Sequence, residues 1–223
     1  TNHFWKYDQS GNDLGTAWRA PSFDDGLWAS GRGIFAREDF APIVSLTNTP
    51  LLLNPSGQGQ ITTYYFRTHF NFTDELTGVQ LVSSNYFDDG AVVYLNGTEV
   101  LRHNMPETAI SSGTLASSAL ADGVFVVSNL PPTLLVPGDN VLAVEVHQVN
   151  LTSSDVAFGM QLTLVPLPPA PLQFTNHPAS AAVLEGHGVT FSGAVSGPVA
   201  YFQWLKNGVP VPGATTSTLT LSS

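Results

Sequence analysis

Cysteine is absent from this chain of 223 residues, and with it go a disulfide framework, thiolate metal ligation and a cysteine nucleophile. Lysine is nearly absent, at Lys6 and Lys206 alone, and 17 acidic residues against 7 basic ones leave a formal net charge of -10. No basic stripe exists to hold phosphates, which makes nucleic acid and anionic membrane surfaces poor candidate partners, and no nucleic acid partner is expected. No apolar run reaches the length of a membrane-crossing helix, so no membrane span is expected. Neither a Gly-x-Ser-x-Gly elbow, a phosphate-binding glycine loop nor a His-Glu-x-x-His zinc motif occurs, and the chain is read as noncatalytic, not an enzyme. It begins at Thr1 without a methionine and without the residue order of a signal peptide, from which we expect sequence upstream.

What is present is turn chemistry and a β pattern. Gly 20, Pro 16 and a charged fraction of 11% describe a turn-rich, sparsely charged chain without long helical periodicity, and the fold class is all-β. Strands are predicted over 63–72, 79–84, 91–95, 98–102, 124–127, 141–147 and 157–164, spaced as in a sandwich. Over 63–72, Phe66, Thr68, Phe70 and Phe72 share a face expected in the core, while Arg67, His69 and Asn71 share one expected in water. Over 141–148, Leu142, Val144 and Val146 lie on one side, with Glu145 and His147 opposite. The aromatics Trp5, Trp18, Trp28 and Phe35 are scattered without strict alternation, which suggests a wrap over a sandwich edge, with the turn Asp24-Asp25-Gly26 directing Leu27 and Trp28 inward. Residues 105–123, rich in Ser and Ala, read as a long loop. Four prolines within Val165–Pro171 divide the chain into a first domain at 1–166, a linker at 167–171 and a second domain at 172–223.

Residues 87–106 carry the most information. Asp88-Asp89-Gly90 feeds a short apolar strand, Asn96-Gly97 reverses it, and a second strand delivers Arg102 and Asn104 to the hairpin end. A candidate ligand site gathers Asp88, Asp89, Tyr94, Arg102, Asn104, Glu145, His147, Gln148 and Asp155. Carboxylates and amides meet sugar hydroxyls, arginine supplies a planar fork, and a tyrosine offers its face to ring C–H groups. The same residues also read as a structural network, in which Asp88 and Asp89 close a turn, Arg102 pairs with Glu145 or Asp89, and His147 bonds to backbone. The sequence leaves both readings open. The adjacent acids Asp24-Asp25 and Asp88-Asp89 read as turn formers ahead of a glycosidase pair.

Trp18, Ser22-Phe23-Asp24-Asp25-Gly26-Leu27-Trp28, Tyr65-Phe66-Arg67-Thr68, Val93-Tyr94-Leu95-Asn96-Gly97 and Gly138–Val146 follow in an order that resembles the galactose-binding-like jelly roll. The variant it resembles forms the sugar-binding domain of family 2 glycoside hydrolases, and the likeness covers most of residues 4–165. The chain is similar also to accessory modules of exported bacterial multidomain proteins. The resemblance implies a jelly-roll β-sandwich, noncatalytic carbohydrate binding or targeting with a glycan or polysaccharide partner, and a secreted or cell-surface location. It also implies a structural calcium ion near the sandwich edge, for which Asp24 and Asp25, with Asp88, Asp89 and Glu145, are the nearest carboxylates.

Farther on, Glu185–Gly197 and Phe202–Gly208 resemble strands B and C of an immunoglobulin-like domain, with Trp204 in the core position and Gly193 where a cysteine is common. Ser217–Ser223 resembles strand E, so the strands that should follow are missing. Two expectations arise: that residue 223 is a boundary within a longer protein, or that the open edge accepts a strand from a neighbouring subunit. The competing functions are a spacer or subunit of an extracellular assembly and, third, an accessory fragment of a glycoside hydrolase.

Overall fold

The computed structural model describes residues 3–54, 59–168, 170–197 and 201–222; Pro169 of the expected linker and Ser223 lie outside them. The chain divides into two compact units, Thr1–Pro166 and Leu167–Ser223. In the first, the strands in chain order are β1 (Phe4–Asp8), β2 (Ala29–Arg32), β3 (Phe35–Arg37), β4 (Thr49–Pro50), β5 (Thr63–Phe72), β6 (Val79–Asp88), β7 (Gly90–Leu95), β8 (Thr98–His103), β9 (Val126–Leu130), β10 (Gly138–His147) and β11 (Val156–Pro166), with a short helix α1 (Ala41–Leu46) between β3 and β4. They form a six-stranded sheet in the order β2-β1-β5-β10-β7-β8 and a five-stranded sheet in the order β4-β3-β11-β6-β9. The all-β sandwich expected from the turn-rich composition is the fold observed. Asn96 and Gly97 both take positive φ, 50° and 84°, as a two-residue hairpin turn requires, and they join β7 to β8.

The sheets meet through an aromatic core. Phe158 of β11 lies 4.3 Å from Phe66 of β5 and 5.0 Å from Trp5 of β1, between ring centroids. Leu142, Val144 and Val146 enter this same core, as their alternation implies. A second apolar cluster covers the outer face of the six-stranded sheet, where Trp18, fully buried, packs on Tyr65, Tyr94 and Ala143. Of the N-terminal wrap, β1 and β2 form the edge of the sheet, while the segment from Trp18 to Trp28 lies over its outer face. Helix α1 does the same for the five-stranded sheet, seating Ile43 against Ala36, Tyr86 and Ala157.

This double covering overturns two expectations. Arg67 is not in water: it is 0% exposed on the outer face of β5, sealed beneath the wrap. Its guanidinium donates to Asp25 at 2.8 Å and to the carbonyls of Trp18, Ala20 and Phe23, so one cation satisfies a carboxylate and three wrap carbonyls. Leu27 does not point inward. It is fully exposed, because Asp25 turns toward Arg67 and the next residues swing outward, leaving Trp28 half-buried against Phe23.

In the second unit the strands are β12 (Gln173–Asn176), β13 (Val189–Ser192), β14 (Ala194–Ser196), β15 (Leu205–Lys206), β16 (Val209–Pro210) and β17 (Thr218–Leu221). They pair as β12-β14, β13-β17 and β15-β16. Asn207 and Gly208, again both at positive φ, close the last of these hairpins. Trp204 faces Phe191 at 6.4 Å and donates its indole N–H to the Thr216 carbonyl. Among the described residues of this unit Gly193 alone is buried, and Trp204 is half-buried.

Candidate functional site

Three neighbouring strands of the five-stranded sheet bring carboxylates to one end of the sandwich. The register sets Arg37 of β3 opposite Val156 of β11, and Ala157 of β11 opposite Asp88 of β6. Glu38 follows the first of these residues and Asp155 precedes the second, so Glu38, Asp155 and Asp88 end on adjacent strands. The loop before β9 adds Asp122, beside the Gly123 amide that donates to the Tyr86 hydroxyl. Each of the four offers an oxygen within 4.8 Å of those of the others.

Glu38 and Asp88 are buried, Asp155 half-buried and Asp122 exposed. Glu38 Oε1 accepts from the amides of Asp39 and Phe40, and Asp155 accepts from the Ser153 hydroxyl. Burial pushes the Asp88 carboxyl up to about 8, helped by the negative charges of Asp89, Asp155, Glu38 and Asp122. Glu38 and Asp155 are raised as well, again chiefly by burial. Among the described residues, no Arg, Lys or His forms an ion pair with any of the four. The arrangement can hold a metal ion, and its chemistry is that of hard oxygen ligands.

The nine residues read as a ligand site do not converge on an open groove. Asp88 and Asp155 join the acidic centre. Asp89, next in sequence, accepts from the amides of Val149 and Leu120 and so ties two loops to the β6–β7 corner. Asn104, at φ 52°, donates to the carbonyls of Asp89 and Ser118 and anchors the long loop. Arg102 pairs with neither Glu145 nor Asp89. It forks onto Glu99, two bonds of 2.8 Å, and also donates to the carbonyls of Pro106 and Thr108. That pair holds the Glu99 carboxyl below its ordinary range and the Arg102 guanidinium above its own.

Glu145, His147, Gln148 and Tyr94 are buried beneath the wrap and the loop. Glu145 accepts from the Tyr94 hydroxyl at 2.6 Å and from Arg19 at 3.1 Å. Tyr94 is therefore no platform for a sugar ring, and burial raises its hydroxyl beyond the ordinary range. His147 Nδ1 lies 2.8 Å from the Thr114 carbonyl and 2.9 Å from Thr63 Oγ1. A carbonyl only accepts, so this nitrogen carries the proton. Gln148 donates to the Asp155 carbonyl.

Asp24 and Asp25, expected near a metal ion, have partners within the protein. Asp25 neutralises buried Arg67, and Asp24 closes its own turn by accepting from the Gly26 amide. Sequence reasoning missed Glu38 and Asp122. Glu38-Asp39 just after an apolar strand and Asp122-Gly123 at a turn were the available signals, but only the tertiary structure shows that they meet.

The β6–β7 corner depends on Gly90. A Cβ there would lie 2.5 Å from Met105 Sδ, 2.8 Å from Ala116 Cβ and 3.0 Å from the Asn104 carbonyl oxygen. Gly90→Ala is expected to destabilise the first unit by about 1–3 kcal/mol through overpacking, measured by urea unfolding. An unchanged midpoint would mean that the loop yields freely.

At the opposite ends of these strands the sandwich is open. Beyond Phe158, β11 has no β3 partner, and beyond Arg67, β5 has no β1 partner, among the described residues. A cleft of about 580 Å³ opens there, with Trp5, Phe70 and Leu162 in its wall and Asn71, Asp74 and Gln161 among its polar lining.

No protein-family model matches the sequence, and no curated protein matches it. The chain aligns with parts of solved glycosidases. A beta-glycosidase from Bacteroides vulgatus shares 12% identity over 99% of this chain and 28% of its own, with a TM-score of 0.43. A glycosyl hydrolase family 2 member from Bacteroides cellulosilyticus shares 14% over 87% and 24%, at 0.48. A calcium-binding mutant of Bacteroides uniformis beta-glucuronidase 2 shares 16% over 100% and 26%, at 0.47. The chain thus spans about a quarter of the length of these structures. Likeness at this level identifies neither a family nor an activity.

Proposed function

We propose that the chain is a noncatalytic accessory segment of a larger, exported carbohydrate-related protein, with a galactose-binding-like jelly roll followed by an immunoglobulin-like half-sandwich. Its part is to position neighbouring domains. The observation that supports this reading is the internal use of the polar hairpin end: Asp89, Asn104 and Arg102 are engaged by their own loops, while Glu145, His147 and Gln148 are buried. Side chains bound by their own loops or buried beneath the wrap are not presented to a sugar at the surface. A glycan array with the full chain, Asp89→Ala and Arg102→Ala tests it. The expected result is no specific retention by the parent and lower melting midpoints for the variants. Retention by the parent that is lost in well-folded Asp89→Ala or Arg102→Ala would overturn it.

The cleft favours a second reading, glycan binding at a different place. Half-buried Phe70 offers ring surface, and Asn71, Asp74 and Gln161 offer hydroxyl partners around a space large enough for a small saccharide. Binding that survives both hairpin variants but fails in Asn71→Ala and Gln161→Ala would establish this reading over the first.

A further inference from the structure

Glu38 and Asp88 are 8% and 5% exposed, and each keeps one buried oxygen, Oε2 and Oδ2 respectively, with no hydrogen-bond partner. A carboxylate oxygen withdrawn from water and given no donor is costly, and here two stand together with the oxygens of Asp122 and Asp155. Nearby donors are already used: the amides of Asp39 and Phe40 both go to Glu38 Oε1. The Gly123 amide goes to Tyr86. What the protein does not supply to these oxygens is positive charge.

We propose that Glu38, Asp88, Asp122 and Asp155 form a binding site for one divalent cation of the calcium class, and that the ion fastens the loop before β9 onto the end of the sandwich. The site stands apart from the Asp24-Asp25 turn and does not depend on whether the module reads a glycan. All four ligands are carboxylates, which select a hard ion over zinc or copper. Four carboxylates from separate segments suit the flexible coordination of calcium better than the strict octahedron of magnesium. Glu38, Asp88 and Asp155 stand at the ends of paired strands and are the fixed part. Asp122 is the exposed ligand on a loop, and it is the part that the ion draws in. With it come Gly123, bonded to Tyr86, and Phe125, whose ring centroid is 5.5 Å from that of Tyr86.

The full chain, freed of metal with a chelator, is titrated with calcium and with magnesium by calorimetry and melted in each condition. Hydrogen exchange follows residues 119–125. One calcium per chain is expected, with magnesium weaker by tenfold or more. The melting midpoint should rise by several degrees at about a hundredfold excess over Kd, and exchange in the loop should slow. Asp122→Asn, at an exposed position, should weaken calcium binding about tenfold or more and remove the loop protection without lowering the metal-free midpoint. Asp88→Asn should abolish binding yet raise the metal-free midpoint, since it removes a buried like charge. Asp24→Asn should change neither. No heat of binding with an unchanged midpoint would overturn the site, as would binding undiminished in both Asp88→Asn and Asp122→Asn. Stronger binding of magnesium would overturn the ion class. Binding without slower loop exchange would overturn the fastening.

Discussion

Replacing Arg67 by methionine is expected to destabilise the first unit by about 3–5 kcal/mol, the range for breaking a buried ion pair by removing one partner. Methionine reproduces the unbranched apolar stem of arginine and stops short of the guanidinium, so the loss reports mainly on that group. Without it Asp25 and the carbonyls of Trp18, Ala20 and Phe23 lose their donor together, in a place from which water is excluded. The wrap is then held mainly by Trp18 against Tyr65 and Tyr94, at 4.9 and 5.7 Å between ring centroids. Its release should appear as exposure of Trp18, read by fluorescence quenching, alongside a melting midpoint lower by about 10 °C. Arg67→Lys should restore little, because one ammonium cannot reproduce a fork that meets four acceptors. A loss below about 1 kcal/mol for Arg67→Met would show that the wrap is held by apolar packing alone.

In metal-free buffer the first unit should lose stability as the pH rises from about 4 to about 8. The folded Asp88 carboxyl is pushed up to about 8, while an exposed aspartate releases its proton near 3.8. Between those values the folded chain holds a proton that the unfolded chain has released, so each step up in pH favours unfolding. The slope approaches about 1.4 kcal/mol per pH unit for one proton, and the penalty is complete above the folded value. Glu38 and Asp155, raised by burial, add to the same sign. Glu99, lowered by Arg102, opposes it, but Glu99 is exposed and screened. Urea unfolding at pH 5, 6.5 and 8 measures the slope, and Asp88→Asn should flatten it. Stability that is level or rises over this window would contradict the burial of a carboxylate without a partner.

Both effects concern residues whose setting is hard to read from local pattern. Alternation along 63–72 places Arg67 opposite Phe66 correctly, and its face is indeed the outer one. Whether that face is wet depends on residues about forty positions earlier in the chain, which cover it. Asp88 shows the same limit from the other side. Its place in an Asp-Asp-Gly corner is plain from the sequence, yet Asp88 and Asp89 diverge, one into the acidic centre and the other onto the Val149 and Leu120 amides. Adjacent residues at a corner between sheets face different layers.

Local chemistry was enough for the all-β class, for strands β5, β7, β8 and β10 within a few residues, and for the Asn96-Gly97 reversal, because turn conformers and two-residue periodicity are properties of neighbours along the chain. Tertiary structure alone decided that Arg67 and Glu145 are buried, that Arg102 turns to Glu99, and that Glu38 and Asp122 join Asp88 and Asp155. Those outcomes depend on which strands pair, in what register, and on what lies over the sheet, and each involves segments far apart in sequence whose meeting no local spacing encodes.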